Sequence, residues 1–171
     1  MRANLSADTL RALLNYDKGT GVFTWATDRP GQPPAGSAAG FVDPKGYVRI
    51  RVNKRSYRAH RLAWLWVHGD WPSRQIDHVN GVKSDNSLSN LREASAGENK
   101  QNLRQAQSNS KSGILGVVWN EQTKRWRAFI RVEGKQKFLG GFLTAEEAKL
   151  AYLDAKAKYH PFQTIAENSN E

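Results

Sequence analysis

The stretch that decides the fold is residues 76–102, with the sequence IDHVNGVKSDNSLSNLREASAGENKQN. It opens with Ile76, followed by an acid and a histidine, Asp77 and His78, which would be direct neighbours on a strand. Asn80-Gly81 and Asp85-Asn86 are typical turn formers, so a loop is expected next. Neighbouring residues of a strand point to opposite faces. Asp77 and His78 would therefore approach a common target from different sides.

This pair of side chains suits the hydrolysis of a phosphodiester. A divalent cation held by a carboxylate and an amide oxygen, with open water positions, stabilises the leaving oxygen. A neutral imidazole beside the cation can deprotonate the attacking water, because histidine titrates near neutral pH. Asp77 and His78 supply one group of each kind.

The whole series resembles the HNH endonucleases of phages and their homing relatives, over roughly residues 45–102. Asn90 lies twelve residues after His78, and Asn99 lies nine residues further on. That ordered spacing is more specific than any dipeptide within it. The residues that carry the resemblance are His60-Arg61-Leu62, Asp77-His78-x-Asn80-Gly81, Asp85-Asn86, Asn90-Leu91-Arg92, Asn99 and Asn102.

The resemblance implies a ββα-metal fold, with two strands and a helix around one cation, and a role for each motif position. His78 would be the general base, and Asn90 would hydrogen-bond across the loop and orient it. Asp77 would bind the metal. Asn99, from the N-terminal part of a helix, would be the second ligand, with Asn102 as the alternative. An asparagine where many members have histidine favours Mg²⁺, or Mn²⁺, over zinc.

Two neighbours of this series leave alternatives open. His60 either packs at the start of its own helix, which we expect, or approaches the site. Arg92 either contacts a phosphate or pairs with Glu93 or Glu98 on the surface.

Charge indicates the partner. The chain of 171 residues has a net charge of +10, which in so short a protein favours a polyanion. Residues 45–74 hold eight Lys/Arg and one acid, and residues 100–160 hold twelve and five. Between them, residues 76–99 hold two Lys/Arg and four acids. Basic segments that can hold phosphates thus flank an acidic one that can hold a cation, and we expect double-stranded DNA as the partner.

Composition narrows the setting. The absence of cysteine excludes disulfides and thiolate zinc sites, so a zinc finger is not expected. The longest apolar run, residues 62–67, is too short to cross a bilayer, and the N-terminus has no signal-peptide pattern. We expect no membrane association and an intracellular, cytoplasmic location in a phage-infected or bacterial host.

The segments before the motif predict small elements. Residues 1–44 form an N-terminal extension, with a helix over residues 4–16, a strand over 22–25 and a loop over 28–40. The extension could contact DNA or only brace the nuclease core. Further strands are predicted at residues 41–42, 46–52 and 56–59, with a hairpin turn at Asn53-Lys54, and a helix runs from His60 to His68, ended by Gly69. Its tryptophans and leucines are expected in the core.

A second domain is predicted at residues 113–160, after a polar linker at 103–112 and before a tail at 161–171. Strands are expected over residues 113–119, 125–132 and 135–142. Thr144 and Glu147 form a capping box that begins a helix ending near Tyr159, before Pro161.

The middle strand divides its residues between two faces. Trp126, Ala128, Ile130 and Val132 would face the helix, and Arg125, Arg127, Phe129 and Arg131 would face away. Three arginines on one face need a neutralising partner, and arginine can bond guanine bidentately from a sheet in the major groove. We expect contacts first from Arg127 and Arg131, then from Trp119, Arg125 and Lys137.

This segment resembles the Apetala-type DNA-binding domain of plant ethylene-response factors, members of which also occur fused to phage HNH nucleases. Where the plant domains have arginine after a Gly-Val pair, this chain has Val118, so a target sequence does not transfer. The resemblance rests on Gly116-Val117, Trp126-x-Ala128-x-Ile130, Leu139-Gly140-x-Phe142, Thr144-Ala145-Glu146-Glu147-Ala148 and Ala151-Tyr152.

Together these patterns predict an α+β protein: a ββα-metal HNH module followed by a small three-stranded antiparallel sheet packed on one helix. The predicted function is a metal-dependent DNA endonuclease that leaves a 5′-phosphate. As a monomer it would nick, and as a homodimer it could cut both strands. The alternatives are a DNA-binding regulator without catalytic activity and a nuclease directed at RNA.

Overall fold

Short helices and small antiparallel sheets, an α+β arrangement, make up the chain. The computed structural model describes residues 5–28, 33–103, 106 and 110–162. The chain divides into two compact units, Met1–Ala96 and Gly97–Glu171. No helix among those residues is both long enough and apolar enough to cross a membrane.

The first unit begins with α1 (Ala7–Leu13), and the Ser6 side chain caps it by accepting from the Thr9 amide. The predicted helix over residues 4–16 was too long, and its first residue lies outside the described ones. Leu14–Tyr16 is a strand, β1, which pairs antiparallel with β2 (Phe23–Trp25). Because β1 pairs with β2 as a strand, its residues are alternately buried and exposed, and Leu14 and Tyr16 both lie in the core. A continued helix would not place both there.

The next elements are a three-stranded sheet and a helix. β3 (Phe41–Val42), β4 (Val48–Val52) and β5 (Arg55–Arg58) lie in that order. The predicted Asn53-Lys54 turn is confirmed: both residues have positive φ, as a two-residue hairpin turn requires. Helix α2 (Ala59–His68) starts one residue earlier than predicted and ends at Gly69, whose φ of 85° makes it a left-handed cap.

The core of this unit joins the N-terminal extension to the later elements. The prediction that the leucines of α2 lie in the core is confirmed, since Leu62 and Leu65 are fully buried. The helix tryptophans, Trp64 and Trp66, are only half-buried and pack against the core from outside. The remaining members include Leu10, Leu14, Phe23, Trp25, Ile50, Val52, Ile76 and Leu91.

Two strands and a helix follow in the order that the resemblance implied. β6 (Gln75–His78) pairs antiparallel with β7 (Leu91–Ala94), and α3 (Ala96–Gln101) comes next. A short 3-10 turn, Leu88–Asn90, leads from the intervening loop into β7. The register sets Asp77 opposite Arg92 and His78 opposite Leu91, so the two motif residues lie on opposite faces.

The second unit contains a sheet and one long helix. β8 (Val117–Asn120), β9 (Arg125–Val132) and β10 (Lys135–Phe142) form an antiparallel sheet with β9 in the middle, and α4 (Ala145–Tyr159) follows. The bounds of β9, β10 and α4 and the Thr144–Glu147 capping box are confirmed. The helix packs on the sheet through Ala148, Tyr152 and Ala155, against Val117, Ala128 and Ile130.

The predicted first strand of this sheet began too early. Gly113 and Gly116 have φ values of 65° and 73°, which lie outside the extended region. A Cβ on Gly116 would fall 2.3 Å from the Tyr152 ring, so glycine is needed there for the helix to approach. The regular strand therefore begins only at Val117.

The turn between β1 and β2 provides a test of how the extension supports the first unit. Gly21 has a φ of +75°, and a Cβ there would lie 2.2 Å from the Asn86 carbonyl carbon and the Ser87 nitrogen. Gly36 has a φ of +80° with no described atom within 4 Å of its Cβ position. Gly36→Ala should cost about 1–2 kcal/mol of unfolding free energy, from backbone strain alone. Gly21→Ala should cost roughly 3 kcal/mol or more, because the 86–87 backbone must also move.

Urea unfolding followed by tryptophan fluorescence measures both losses. Equal losses for the two variants would contradict the close packing of the 17–21 turn on residues 86–87.

Candidate active site

The site is built where β6 ends and its loop begins. Asp77 and His78 are the last two residues of β6, and they are 6% and 5% exposed. Both side chains are thus held within the protein rather than solvated. Their surroundings decide what chemistry they can perform.

Asp77 is held by a cross-strand arginine. Arg92 donates from Nε and Nη2 to Asp77 Oδ2, at 3.1 and 2.9 Å. Asp77 and Arg92 are direct neighbours across the β6–β7 pair, and this register brings the two side chains together. The sequence pattern alone did not suggest this pairing. Glu93, one of the partners it did consider, instead accepts from Ser73 Oγ and the Arg74 amide.

Asn90 ties the two ends of the loop together. Its Oδ1 accepts from the Asn80 amide and its Nδ2 donates to the Asp85 carbonyl, both at 2.8 Å. The Asn90 carbonyl also accepts from the Val79 amide at 2.8 Å. These bonds cross the loop, as the resemblance implied, and act on the backbone of residues 79, 80 and 85, which follow His78.

The side chain beside the His78 ring is that of Asn86, which the sequence suggested only as a turn former. Asn86 is 2% exposed, and its Oδ1 lies 3.4 Å from His78 Nε2. Its Nδ2 donates to the Ser84 carbonyl at 3.0 Å, which turns the amide oxygen towards the ring. An amide oxygen only accepts, so this contact favours the neutral tautomer with the proton on Nε2 and leaves Nδ1 as the basic nitrogen.

The N-terminal hairpin holds the backbone that carries Asn86. The Tyr16 hydroxyl donates to the Asn86 carbonyl at 2.7 Å, and the Leu88 amide donates to the Lys18 carbonyl at 2.9 Å. Tyr16 is buried and stacks on Phe23 with ring centroids 4.6 Å apart. Burial, then the charges of Asp17 and Asp85, raises the pKa of Tyr16 to about 12, so its hydroxyl remains a donor. The extension therefore braces the loop.

A second histidine completes the surroundings of the base. His60 packs at the start of α2 as expected, at 3% exposed, but its ring also meets His78 edge-on with centroids 5.0 Å apart. Tyr47 lies 5.5 Å from the His60 ring and 6.0 Å from the His78 ring. His60 therefore both packs at the start of its helix and approaches the candidate site. Neither the position of Tyr47 nor that of Asn86 was predicted, since the sequence offers only a hairpin tyrosine and an Asp-Asn turn.

Burial keeps the two histidines neutral. It lowers the pKa of His60 to about 3, with the charges of His78, Arg58 and Arg61 adding to the effect. Burial also lowers the pKa of His78, and this outweighs the opposing hydrogen bond from Asn86 and the charges of Asp77 and Asp85. A neutral imidazole at neutral pH is the form that can accept a proton from water.

Oxygen donors are what the candidate metal positions offer. Asp77, in the first unit, offers a carboxylate. Asn99, half-buried on α3 and assigned to the second unit, offers an amide oxygen. Asn102, the alternative, is buried one residue beyond α3. Across the described ranges, no three His, Cys, Asp or Glu side chains are grouped as a metal cluster. Carboxylate and amide oxygens are the kind of ligand that suits a hard cation with most of its waters rather than a zinc ion.

In the second unit, the pairing of the strands shows on which face of the sheet each predicted DNA contact lies. Arg125, Arg127 and Arg131 alternate with the residues that face α4, as predicted. The Arg127 guanidinium lies over the rings of Phe129 and Phe138, at 5.2 and 5.0 Å.

Trp119 and Lys137 do not share that arginine surface. Trp119 pairs with Trp126, and Lys137 pairs with Ile130, so both lie on the side of the helix. Lys137 donates to the Tyr159 hydroxyl of α4 at 2.8 Å. Val118, opposite Arg127, occupies the outer face instead.

Comparison with known proteins agrees with the geometry of the first unit. Residues 57–101 match the family model described as HNH endonuclease. The match contains Asp77, His78, Asn90 and Asn99 and ends before the second sheet, so the Apetala-type resemblance stays a prediction. The chain is also 36% identical over 80 residues to Protein 3.8 of Escherichia phage T7. That alignment covers 46% of this chain and 65% of Protein 3.8. No solved structure matches the chain.

The low pKa of His60 predicts a specific acid sensitivity. Above about pH 6.5 the ring is neutral in both states; below it the unfolded chain binds a proton that the folded chain refuses until about pH 3. Stability should therefore fall as the pH drops, by up to about 1.4 kcal/mol per pH unit from this residue. His60→Phe, which keeps an aromatic ring but cannot titrate, should lose that part of the slope.

Urea unfolding at several pH values between 7 and 4.5 gives the two slopes. His60→Leu should show the same reduced slope as His60→Phe, although the two differ in packing. Profiles parallel to that of the wild type would show that His60 is not kept neutral by the fold.

Proposed function

We propose that the protein is a metal-dependent DNA endonuclease that hydrolyses phosphodiester bonds. The observation that carries the proposal is the buried, neutral His78, placed next to Asp77 on β6 and fixed by Asn86 within the part that matches HNH endonucleases. An imidazole that accepts a proton, with a carboxylate on the opposite face of the same strand, is the arrangement that water-dependent phosphodiester cleavage needs.

In this proposal His78 is the general base. Its Nδ1 takes a proton from a water molecule whose oxygen attacks phosphorus. A P–O bond to that oxygen forms, and the bond to the 3′ oxygen breaks. The leaving 3′ oxygen takes a proton from solvent, so the product carries a 5′-phosphate. Asn86 keeps the ring in the required tautomer, and Asn90 keeps the loop closed.

Asp77 would hold the cation, with Asn99, or Asn102, as the second protein ligand. A bound Mg²⁺ or Mn²⁺ supplies stabilisation of negative charge on the phosphate and its leaving oxygen. Arg92 orients the Asp77 carboxylate through two hydrogen bonds.

The arginine surface of the second unit would position the DNA. Arg125, Arg127 and Arg131 share one face of β9, and none of them pairs with a carboxylate within the described part of the chain. Such a face is suited to phosphates and to guanine edges in a major groove. We leave Trp119 and Lys137 out of this surface because they lie on the face turned to α4.

A supercoiled plasmid tests the proposal directly. The purified protein should convert it to nicked or linear DNA in Mg²⁺ or Mn²⁺ and not in EDTA. His78→Ala should lower the rate by about two to four orders of magnitude, since that is the usual contribution of a general base. His68→Ala removes an exposed histidine from the end of α2 and should cut like the wild type.

The ratio of nicked to linear product reports whether one or two sites act together.

A variant that lacks two of the three outer arginines, Arg127→Gln/Arg131→Gln, should cut slowly at low protein concentration and recover at saturating protein. Binding of DNA without cutting of any plasmid or phage genome by the wild type would instead support a non-catalytic regulator.

A further inference from the structure

Two cations lie on one aromatic ring next to the candidate base. The guanidinium carbon of Arg58 is 4.2 Å from the centroid of the Tyr47 ring, and Lys83 Nζ is 5.1 Å from it. The three residues come from the turn before β4, the end of β5 and the loop after β6. We call them the Tyr47 cluster. Their convergence is a product of the fold and not of the sequence order.

Hydrogen bonds fix the turn that presents Tyr47. Asp43 Oδ1 accepts from the amides of Lys45 and Tyr47, at 2.9 and 3.0 Å. Asp43 Oδ2 accepts from Arg49 Nε at 2.7 Å, and this ion pair lowers the pKa of Asp43. Lys83 Nζ donates to the Lys45 carbonyl at 3.1 Å, so the loop after β6 is tied to the same turn. The cluster is therefore ordered before any ligand arrives.

The cluster adjoins the proposed reaction centre. The Tyr47 ring lies 6.0 Å from the His78 ring, centroid to centroid, and Lys83 lies five residues after His78 in the same loop.

No carboxylate of the described residues neutralises the positive charge of the cluster. Among the residues that the structure describes, Arg58 and Lys83 have no carboxylate partner, and neither do the neighbouring Lys45 and Arg51. Arg49 shows the contrast, since it pairs with Asp43. Cations that gather at one place without carboxylate partners repel one another and favour an anionic ligand.

We propose that the Tyr47 cluster binds backbone phosphates of duplex DNA beside the phosphate presented to His78. The inference rests on the proposed nuclease function, which makes a polynucleotide the anion that reaches this site. Lys83 and Arg58 are held by contacts with the Tyr47 ring and its turn, and they are not aligned for bidentate hydrogen bonds to a base edge. Their contribution is thus independent of sequence and sensitive to salt, as phosphate contacts are.

Salt dependence of binding tests this surface. The affinity of His78→Ala, which prevents cutting, is measured for two duplexes of unrelated sequence over a range of salt concentrations. Adding Arg58→Gln/Lys83→Gln should weaken both complexes equally and reduce the slope of log affinity against log salt by about 2, since each phosphate contributes about 0.9. Lys149→Gln/Lys158→Gln removes the same charge from exposed positions on α4 and should leave the slope unchanged.

Lys83→Gln alone, in an exposed loop, guards against a folding defect at Arg58 and should reduce the slope by about 1. A slope equal to that of the control overturns the inference, even if the wild type cuts plasmid. A reduced slope in a protein that never cuts would leave the phosphate surface standing and remove the nuclease. If His78→Ala bound no duplex at all, both would fail.

Discussion

A single buried amide, Asn86, is the constraint on which the rest of the site depends. Its side chain is shared between the Ser84 carbonyl and His78 Nε2, and its backbone carbonyl accepts from Tyr16. Leaving such a buried amide without its partners costs about 1–3 kcal/mol, so the loop is held in one conformation. That conformation sets which nitrogen of His78 faces Asn86 and which nitrogen is left to accept a proton in the proposed reaction.

The same constraint gives the N-terminal residues a physical role. Tyr16 and Lys18 reach the 86–88 backbone, and Gly21 allows the approach because a side chain there would collide with it. Leu10, Leu14 and Phe23 share one apolar core with Leu62 and Ile76. The extension thus belongs to the structure that supports His78, the proposed base.

Local patterns allowed much of the fold to be predicted. The strands Arg125–Val132 and Lys135–Phe142 follow from alternation and turns, and α2 and α4 follow from their caps, all of which act within a few residues. Long-range contacts were beyond that reach. Leu14–Tyr16 becomes a strand only by pairing with β2, and Tyr16 meets Asn86 across 70 residues of sequence. Trp119 and Lys137 were grouped with the arginines for the same reason. Their place on the helix side depends on the pairing between strands, which local patterns do not reveal.

The tautomer of His78 is the most direct test of this account. Long-range proton–nitrogen NMR of the imidazole rings at neutral pH distinguishes Nε2–H from Nδ1–H and from the charged ring. We expect a neutral His78 with its proton on Nε2, and a loss of that preference in Asn86→Ala. A proton on Nδ1, a charged ring, or an unchanged tautomer in Asn86→Ala would contradict it.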